Sequence, residues 1–325
     1  MTSTTRLPGA FDSAAYGGPG WSPRTARHDA ELGTVWGDCG IDSEYATLRA
    51  VLLHRPGQEL RADDPNAVQM LDRIDVGRAQ AQYDALVHAY TEADVRVHLV
   101  DPAGPPSPNQ MFVADLMLMT PDGAILARPA STVRAGEERQ VARRLADLGI
   151  PIVRSLRGRA TFEAADAAWL DPDTVLLGRG LRTNADGVSQ VRSVLEEMGR
   201  AVIVVDLPYG TMHLMGMVRF GGPRLAFAWP RRTPFAAVEA LRARGFDVVF
   251  VPDETEANQG KAFNLVTLGP GKVLMAAGNP ITLAFYESHD VQCVTVELDE
   301  LAKAAGAAGC MTGILARDLV ARPSL

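Results

Sequence analysis

Paired cysteines, long apolar runs and an excess of positive charge are all missing from this chain of 325 residues. Its three cysteines, Cys39, Cys293 and Cys310, form an odd set without paired spacing. That excludes a disulfide framework and predicts a reducing, cytoplasmic setting. No apolar run reaches the ~18 residues that span a bilayer. The opening stretch, MTSTTRLPGAFDSAAYGGPGWSPR, lacks the apolar centre of a secretory signal. With 32 Lys and Arg against 39 Asp and Glu, the net charge is -7, so the clustered positive surface that nucleic acid or an anionic membrane requires is not expected. A small cationic partner is compatible with that balance, and self-association is left open. None of the usual metal-ligand spacings occurs, so neither a metal nor a cofactor is expected.

What is present is a core-forming composition, 47% hydrophobic and 22% charged, organised as a repeat. Residues 1–35, rich in Gly, Pro, Ser and Thr, read as an irregular arm, and residues 36–325 as a single catalytic domain. Five times an aliphatic run ends in a Gly or Pro breaker: VLLHRPG, AILARPA, TVLLGRG, RLAFAWP and VLMAAGNP. A helical pattern follows, clearest at Tyr83, Leu86, Val87 and Tyr90, at Val141, Leu145 and Leu148, and at Val191, Val194, Leu195 and Met198. A second strand then closes each unit: DVRVHLVD, GIPIVRS, AVIVVDLP, FDVVFVPD and DVQCVTVEL. Four units open with an extra strand joined by a tight turn, as in FVADLMLM-TPDG-AILARP. For the first unit the candidate extra strand is YATLRA at 45–50. The unit is ββαβ, and one copy cannot bury its own apolar face. Five copies without charged linkers predict an α/β fold closed into a ring, a five-bladed propeller with a central channel that also protects the sheet edges. The plainer alternative, an open parallel sheet, has no use for the hairpins.

Aligning the units by their hairpins brings polar residues to comparable positions. Asp115 stands at the start of the first strand of unit two, Glu163 and Asp166 in unit three, His213 in unit four and Asn264 in unit five. Cys310 begins a last short strand, CMTGILA. In a ring these positions face one axis, and a thiol, an imidazole and several carboxylates converge. Cys39 and Cys293 read as small core residues. Cys310 differs, because GAAG before it and Met-Thr-Gly after it are a small-residue approach. His213 in TMHLMGM could be a core histidine, and Asp166 could cap backbone amides. Asp115 in an apolar strand would be costly without a cation beside it.

At these residues the chain resembles the guanidine-modifying enzyme superfamily of arginine deiminases, dimethylarginine dimethylaminohydrolases and amidinotransferases. The stretches that carry the resemblance are PNQMFVAD, RAGEE, TFEAAD, GRGLRTN, MHLM, AGNP and GCMTGILAR, in family order over residues 45–318. The resemblance implies a five-bladed α/β propeller with Cys310 as nucleophile, His213 as general acid/base and Glu163 as the carboxylate that orients them. It implies further that Asp115 and Asp166 hold the nitrogens of a small guanidino substrate, and that Asn109 and Phe112 shape the pocket. Arg182 and Arg134 would hold a substrate carboxylate. Carboxylates match the edges of a planar guanidinium, and a thiolate attacks its carbon near neutral pH. Met215 stands where many members carry an aspartate, EAAD replaces EGGD, and no histidine immediately precedes Cys310. The expected reaction is hydrolysis of a guanidino C–N bond through an amidino-thioether, in an arginine-like or N-substituted arginine. The alternatives are transfer of the amidino group to an amine, and a catalytically silent binding protein.

Overall fold

The computed structural model describes residues 12–320, so the first part of the expected arm lies outside the described residues. Within 12–35 the chain forms only a 3-10 turn at Ala14–Tyr16 and one helical turn at His28–Glu31. His28 fastens this stretch to the body through Nε2 and the carbonyl of Asp122, 2.9 Å away.

Among the described residues, fifteen strands form five separate three-stranded sheets. The first holds β1 (Leu48–Leu53), β2 (Arg96–Leu99) and the C-terminal β15 (Gly313–Arg317). The second holds β3 (Met117–Thr120), β4 (Gly123–Leu126) and β5 (Ile152–Ser155), and the third β6 (Ala167–Asp171), β7 (Thr174–Arg179) and β8 (Ala201–Asp206). The fourth holds β9 (Val218–Gly222), β10 (Leu225–Ala228) and β11 (Asp247–Phe250), and the fifth β12 (Val266–Gly269), β13 (Lys272–Ala276) and β14 (Gln292–Val296). Each middle strand pairs antiparallel with one neighbour and parallel with the other, as ββαβ requires. The four hairpins turn on Pro121-Asp122, Pro172-Asp173, Pro223-Arg224 and Pro270-Gly271. Each opens with a proline, whose fixed φ suits the first position of a turn.

The crossover helices are Val76–Glu92, Glu137–Asp147, Ala185–Glu197, Phe235–Ala243 and Pro280–Glu287. Asp75 and Asn184 cap two of them by accepting the amides of Arg78 and Gly187. The apolar residues at helical spacing are the ones buried: Tyr83, Leu86 and Tyr90 in the first helix, Val141 and Leu145 in the second, Val191, Val194 and Leu195 in the third.

One expectation is corrected. YATLRA is not a separate strand: Leu48–Leu53 runs continuously from it into the aliphatic run that begins at Val51, and its antiparallel partner is β15, more than 260 residues further on. Local pattern could not reveal this, because the pairing spans some 260 residues of sequence. The first unit is therefore assembled from both ends of the domain.

Packing between sheets follows a ring, with contacts between β15 and β3, between the turns before β3 and β6, between β6 and the turn before β9, between β9 and β12, and between β12 and β1. The first strands of all five units, β3, β6, β9, β12 and β15, line one axial cavity through residues such as Met117, Ala168, Phe220, Thr267 and Ile314. Side chains rather than a continuous hydrogen-bonded sheet join the blades. Trp169 Nε1 donates to the Met119 carbonyl at 3.0 Å, and Thr267 Oγ1 to that of Phe220 at 2.5 Å.

Because β15 completes the first sheet, Leu315 (1% exposed) is as much core as any central residue. Leu315→Ala is expected to lower unfolding stability in urea by about 2–5 kcal/mol. Leu319→Ala, only four residues on and 54% exposed, should stay within about 0.5 kcal/mol. Equal effects would contradict closure through the C-terminus.

Candidate active site

The turn that leads into each inner strand carries the polar residues. A 3-10 turn at Val113–Asp115 precedes β3, one at Ala164–Asp166 precedes β6, and one at Leu214–Gly216, opened by His213, precedes β9. Asn264 stands just before β12, and a helical turn at Ala308–Met311 precedes β15. Asp115 and Cys310 are thus in turns, not in strands as the pattern suggested. Five inner strands with the same polarity deliver these turns to one end of the axis.

There the structure assembles a buried charge network. His213 Nε2 lies 2.6 Å from Glu163 Oε2, and His213 Nδ1 lies 3.8 Å from Asp115 Oδ1. Arg134 Nη1 reaches Asp115 Oδ2 at 2.5 Å and Glu163 Oε2 at 3.5 Å, while its Nε donates to Glu137 Oε2 at 2.9 Å. Arg182 Nη1 reaches both Glu163 oxygens, at 3.2 and 3.3 Å, and the Ala130 amide donates to Oε1. Burial, the largest influence on both groups, opposes their ionisation, yet the pairing overcomes it. Glu163 falls to about 2, chiefly through His213, and His213 rises to about 9 through Asp115 and Glu163. The resting imidazole is therefore an imidazolium.

Cys310 lies against this network. Asn264 holds it twice: its Oδ1 accepts the Cys310 amide at 3.0 Å, and its Nδ2 donates to Sγ at 2.8 Å. Burial and the Asp115 charge push the thiol above its ordinary value, against the pull of Asn264 and Arg219. The small residues before it have a steric cause. A Cβ on Gly309 would meet Arg219 Nη2 at 2.0 Å, and one on Gly306 would meet the Phe112 ring at 2.5 Å. Cys310 borders two cavities. One is lined by Asp115, Asn109, Phe112, Gln69, Arg182 and Arg134, the other by His213, Met215, Asn264 and Lys261. Cys39 is buried and Cys293 half-buried, and both are free thiols away from this site.

Two expected roles change. Arg134 (3% exposed) is fully engaged by Asp115, Glu137, Glu163 and the Phe112 carbonyl, so it is the internal counter-cation of the acids and has no donor left for a substrate carboxylate. Asp166 spends both oxygens on the scaffold, one on the Thr183 hydroxyl at 2.6 Å and one on the Leu214 amide at 3.0 Å. It pins the turn that carries His213 instead of facing a substrate nitrogen. Asn109 and Phe112 do line the first cavity, with Asn109 Nδ2 tied to the Val68 carbonyl at 2.7 Å. Arg182 lines it too, half-buried and bonded to Glu163.

Sequence reasoning missed Glu137, Gln69, Arg219 and Lys261. Glu137 lies within the RAGEE stretch and is wholly buried, with burial raising it to about 7 despite Arg134. Gln69 has no local signal: a left-handed turn (φ 63°) brings it to the cavity. Asp115, Glu163 and His213 place ligand atoms within 4.8 Å of one another, a spacing that could hold a metal ion. Asp115 Oδ2 is already taken by Arg134 and Glu163 Oε2 by His213, so the chain itself supplies the cations those atoms bind.

Five ββαβ blades that bring a thiol, an imidazole and carboxylates to one end of the axis define an α/β propeller-like fold with a candidate active site at that end. Comparison with known proteins narrows the class. The arginine deiminase family model matches residues 233–317. The N(G),N(G)-dimethylarginine dimethylaminohydrolase of Streptomyces coelicolor is 29% identical over 269 residues, 81% of this chain and 96% of that protein. The protein of that name from Pseudomonas aeruginosa is 26% identical over 246 residues, 74% and 90% of the two chains. A crystal structure of a dimethylarginine dimethylaminohydrolase adduct superimposes with a TM-score of 0.69 at 25% identity, over 82% of this chain and 99% of the other. An amidinotransferase of the saxitoxin pathway of Microseira wollei gives a TM-score of 0.71 at 14% identity over 88% and 99%, a likeness of fold alone. These likenesses support a place in the guanidine-modifying enzyme superfamily, and with it a guanidino-modifying hydrolase or amidinotransferase.

The carboxylates make a checkable demand on His213. Its imidazole signal should titrate near pH 9 by NMR, well above the ordinary 6.5, and Asp115→Asn should lower that midpoint. Since the folded value exceeds the unfolded one, the stabilisation is complete below about pH 6.5 and is lost as pH rises through about 9. A midpoint at or below 6.5 would contradict the ion pairing.

Proposed function

We propose that this protein is a cysteine-dependent hydrolase of a guanidino C–N bond in an arginine-like or N-substituted arginine compound, with Cys310 as nucleophile, His213 as general acid/base and Glu163 as its orienting carboxylate. The observation that carries this reading is the position of the thiol, which borders both the cavity of Asp115 and the cavity of His213. Asp115 Oδ1 and Gln69 Oε1 are buried acceptors without a hydrogen-bond partner, and both residues line the first cavity. Two such acceptors suit the N–H edges of a guanidinium, which would lie against the Phe112 ring with its carbon facing Sγ.

The chemistry follows from the charges. The resting thiol is protonated, because burial and Asp115 disfavour the thiolate. A guanidinium placed between Asp115 and Sγ neutralises that repulsion and adds its own attraction, so the thiol gives its proton to solvent as substrate binds. The sulfur then bonds to the guanidinium carbon. As the C–N bond breaks, His213 gives its proton to the departing nitrogen. The neutral imidazole next takes a proton from water, whose oxygen attacks the amidino carbon. The C–S bond breaks, leaving a ureido product and the free cysteine. Glu163 holds the imidazole in register throughout, at 2.6 Å. Asp166 and Arg134 act through others, one by fixing the His213 turn, the other by balancing the acids.

Met215 in the second cavity favours a substituted guanidine, since an apolar wall there asks for no further N–H group. That cavity also offers room for an acceptor amine, which keeps amidino transfer as the second reading. A soluble cytoplasmic enzyme fits the three free thiols, and among the described residues no helix is long and apolar enough to cross a membrane.

Trapped by acid quench, the native protein is expected to carry an adduct on the Cys310 peptide with the mass of the transferred amidino group. Cys310→Ser should lose turnover by at least about 10³-fold without losing the fold, and unchanged activity would sink the mechanism. Product assayed with and without acceptor amines separates hydrolysis from transfer. The rate should fall above pH about 9 as His213 loses its proton.

A further inference from the structure

We propose that the second cavity at Cys310 is an anion-binding chamber, in which Lys261 and Arg232 take a carboxylate, sulfonate or phosphate carried by a molecule that reacts at the thiol. The inference rests on the reading of Cys310 as the reacting atom and goes beyond it by assigning a charge requirement to one side of the site.

The two cavities that meet at Cys310 differ in charge. The first contains Asp115 with Arg134 and Arg182, and both arginines are already paired with buried acids, Asp115 and Glu163. No Asp or Glu lines the second, while Lys261, Arg232 and the imidazolium of His213 all do. Among the described residues neither Lys261 nor Arg232 has a carboxylate partner at salt-bridge distance, although the neighbouring Arg231 pairs with Glu254. Lys261 is half-buried, and its ammonium makes one hydrogen bond, 2.7 Å to the Asn258 carbonyl. Burial pulls it below its ordinary value, while a Cys310 thiolate would favour its charge. An ammonium that is partly desolvated and lacks an anion is a site in want of one. Arg232 is exposed at the rim of the same cavity and stacks on Trp229, 4.5 Å from the ring centroid, which restrains its plane and leaves its edge for a second contact.

The backbone builds this arrangement into the catalytic turn. Lys261 has a left-handed conformation (φ 54°), and its carbonyl accepts the amide of Asn264 at 2.9 Å. Asn264 in turn holds Cys310 through both its amide and its sulfur. One four-residue turn thus sets the ammonium and the thiol in fixed relation. Met215 agrees with this polarity: an acid at that place would cancel Lys261, and the chain has none. A guanidino compound would lie with its cation against Asp115 and an anionic substituent toward Lys261, spanning the thiol.

The test uses the full chain and two alkylating agents of nearly equal size and opposite character, iodoacetate and iodoacetamide. Their rates at Cys310 are read from the modified peptide by mass spectrometry. The ratio of the two rates cancels any change in thiol acidity. Lys261→Met combined with Arg232→Met should lower the iodoacetate-to-iodoacetamide ratio about tenfold, and Lys261→Arg should keep it near native. An unchanged ratio overturns the proposal. In the kinetic arm, Lys261→Met should raise KM for guanidinoacetate and 3-guanidinopropionate about tenfold and leave methylguanidine unaffected. If KM moves instead for a carboxylated acceptor amine, the anion belongs to the acceptor. A shifted ratio with neither KM affected would overturn the chamber as a substrate site. Failure of every guanidine to react would count against the proposed activity, while the alkylation ratio would still decide the chamber.

Discussion

The buried ion cluster around Glu163 is the constraint on which the rest depends. Glu163, Glu137 and Asp115 are almost without solvent, as are Arg134 and His213. Two unit charges 4 Å apart interact by about 4 kcal/mol at an effective dielectric near 20, so no member of such a cluster is tolerable alone. Arg134 makes the acids compatible with burial by touching all three, and His213 completes the balance by holding a proton. That proton is also what a departing nitrogen needs. The charge that stabilises the resting network and the charge that would be used in turnover are the same.

Such a cluster requires side chains from distant parts of the chain to meet within hydrogen-bond distance, and the propeller meets this need by repetition. Each unit ends its approach in a one-turn helix or bend before an inner strand, so each contributes one residue at an equivalent place. The pairing of β1 with β15 joins the two ends of the domain, and it places Cys310 in the unit where the first strand would otherwise lack its partner. Nucleophile and ring closure share a segment. Damage to the C-terminal strand would therefore disturb the thiol before it disturbed the distant blades.

Much of this was legible in the residues themselves. Period, breakers, Pro- or Gly-bearing turns and the short apolar run CMTGILA located all fifteen strands approximately, because these are local signals with a steric origin. Asp115 stood out because a carboxylate is expensive in an apolar neighbourhood, Cys310 through the small residues that flank it, and His213 through the alignment of the repeats. The structure brings Cys310 and His213 to one cavity and Cys310 and Asp115 to another. The partner of β1 was not legible, since pairing across the whole domain leaves no mark on either strand. Nor were the occupations of Arg134 and Asp166: sequence marks them as polar and embedded, but whether an oxygen faces a ligand or a backbone amide depends on a rotamer and a neighbouring turn. Gly306 and Gly309 looked like flexibility and turn out to be clearance, for Phe112 on one side and Arg219 on the other.

The thiol gives the last step. A cysteine kept protonated by burial and by Asp115 is a poor nucleophile until something cationic arrives, and the same carboxylate that suppresses it is the one proposed to receive a guanidinium. In that reading Asp115 acts twice, as a brake in the empty site and as an anchor in the filled one. Arg219 and Lys261 sit where they would favour the thiolate, but one is tied to the Phe263 carbonyl behind the axial cavity and the other to Asn258. Neither outweighs burial in the resting state. Under the proposed mechanism reactivity is conditional on ligand charge, so the enzyme would select its substrate at the step that creates its nucleophile. Random electrophiles would meet a thiol, and a guanidinium a thiolate that it has itself produced.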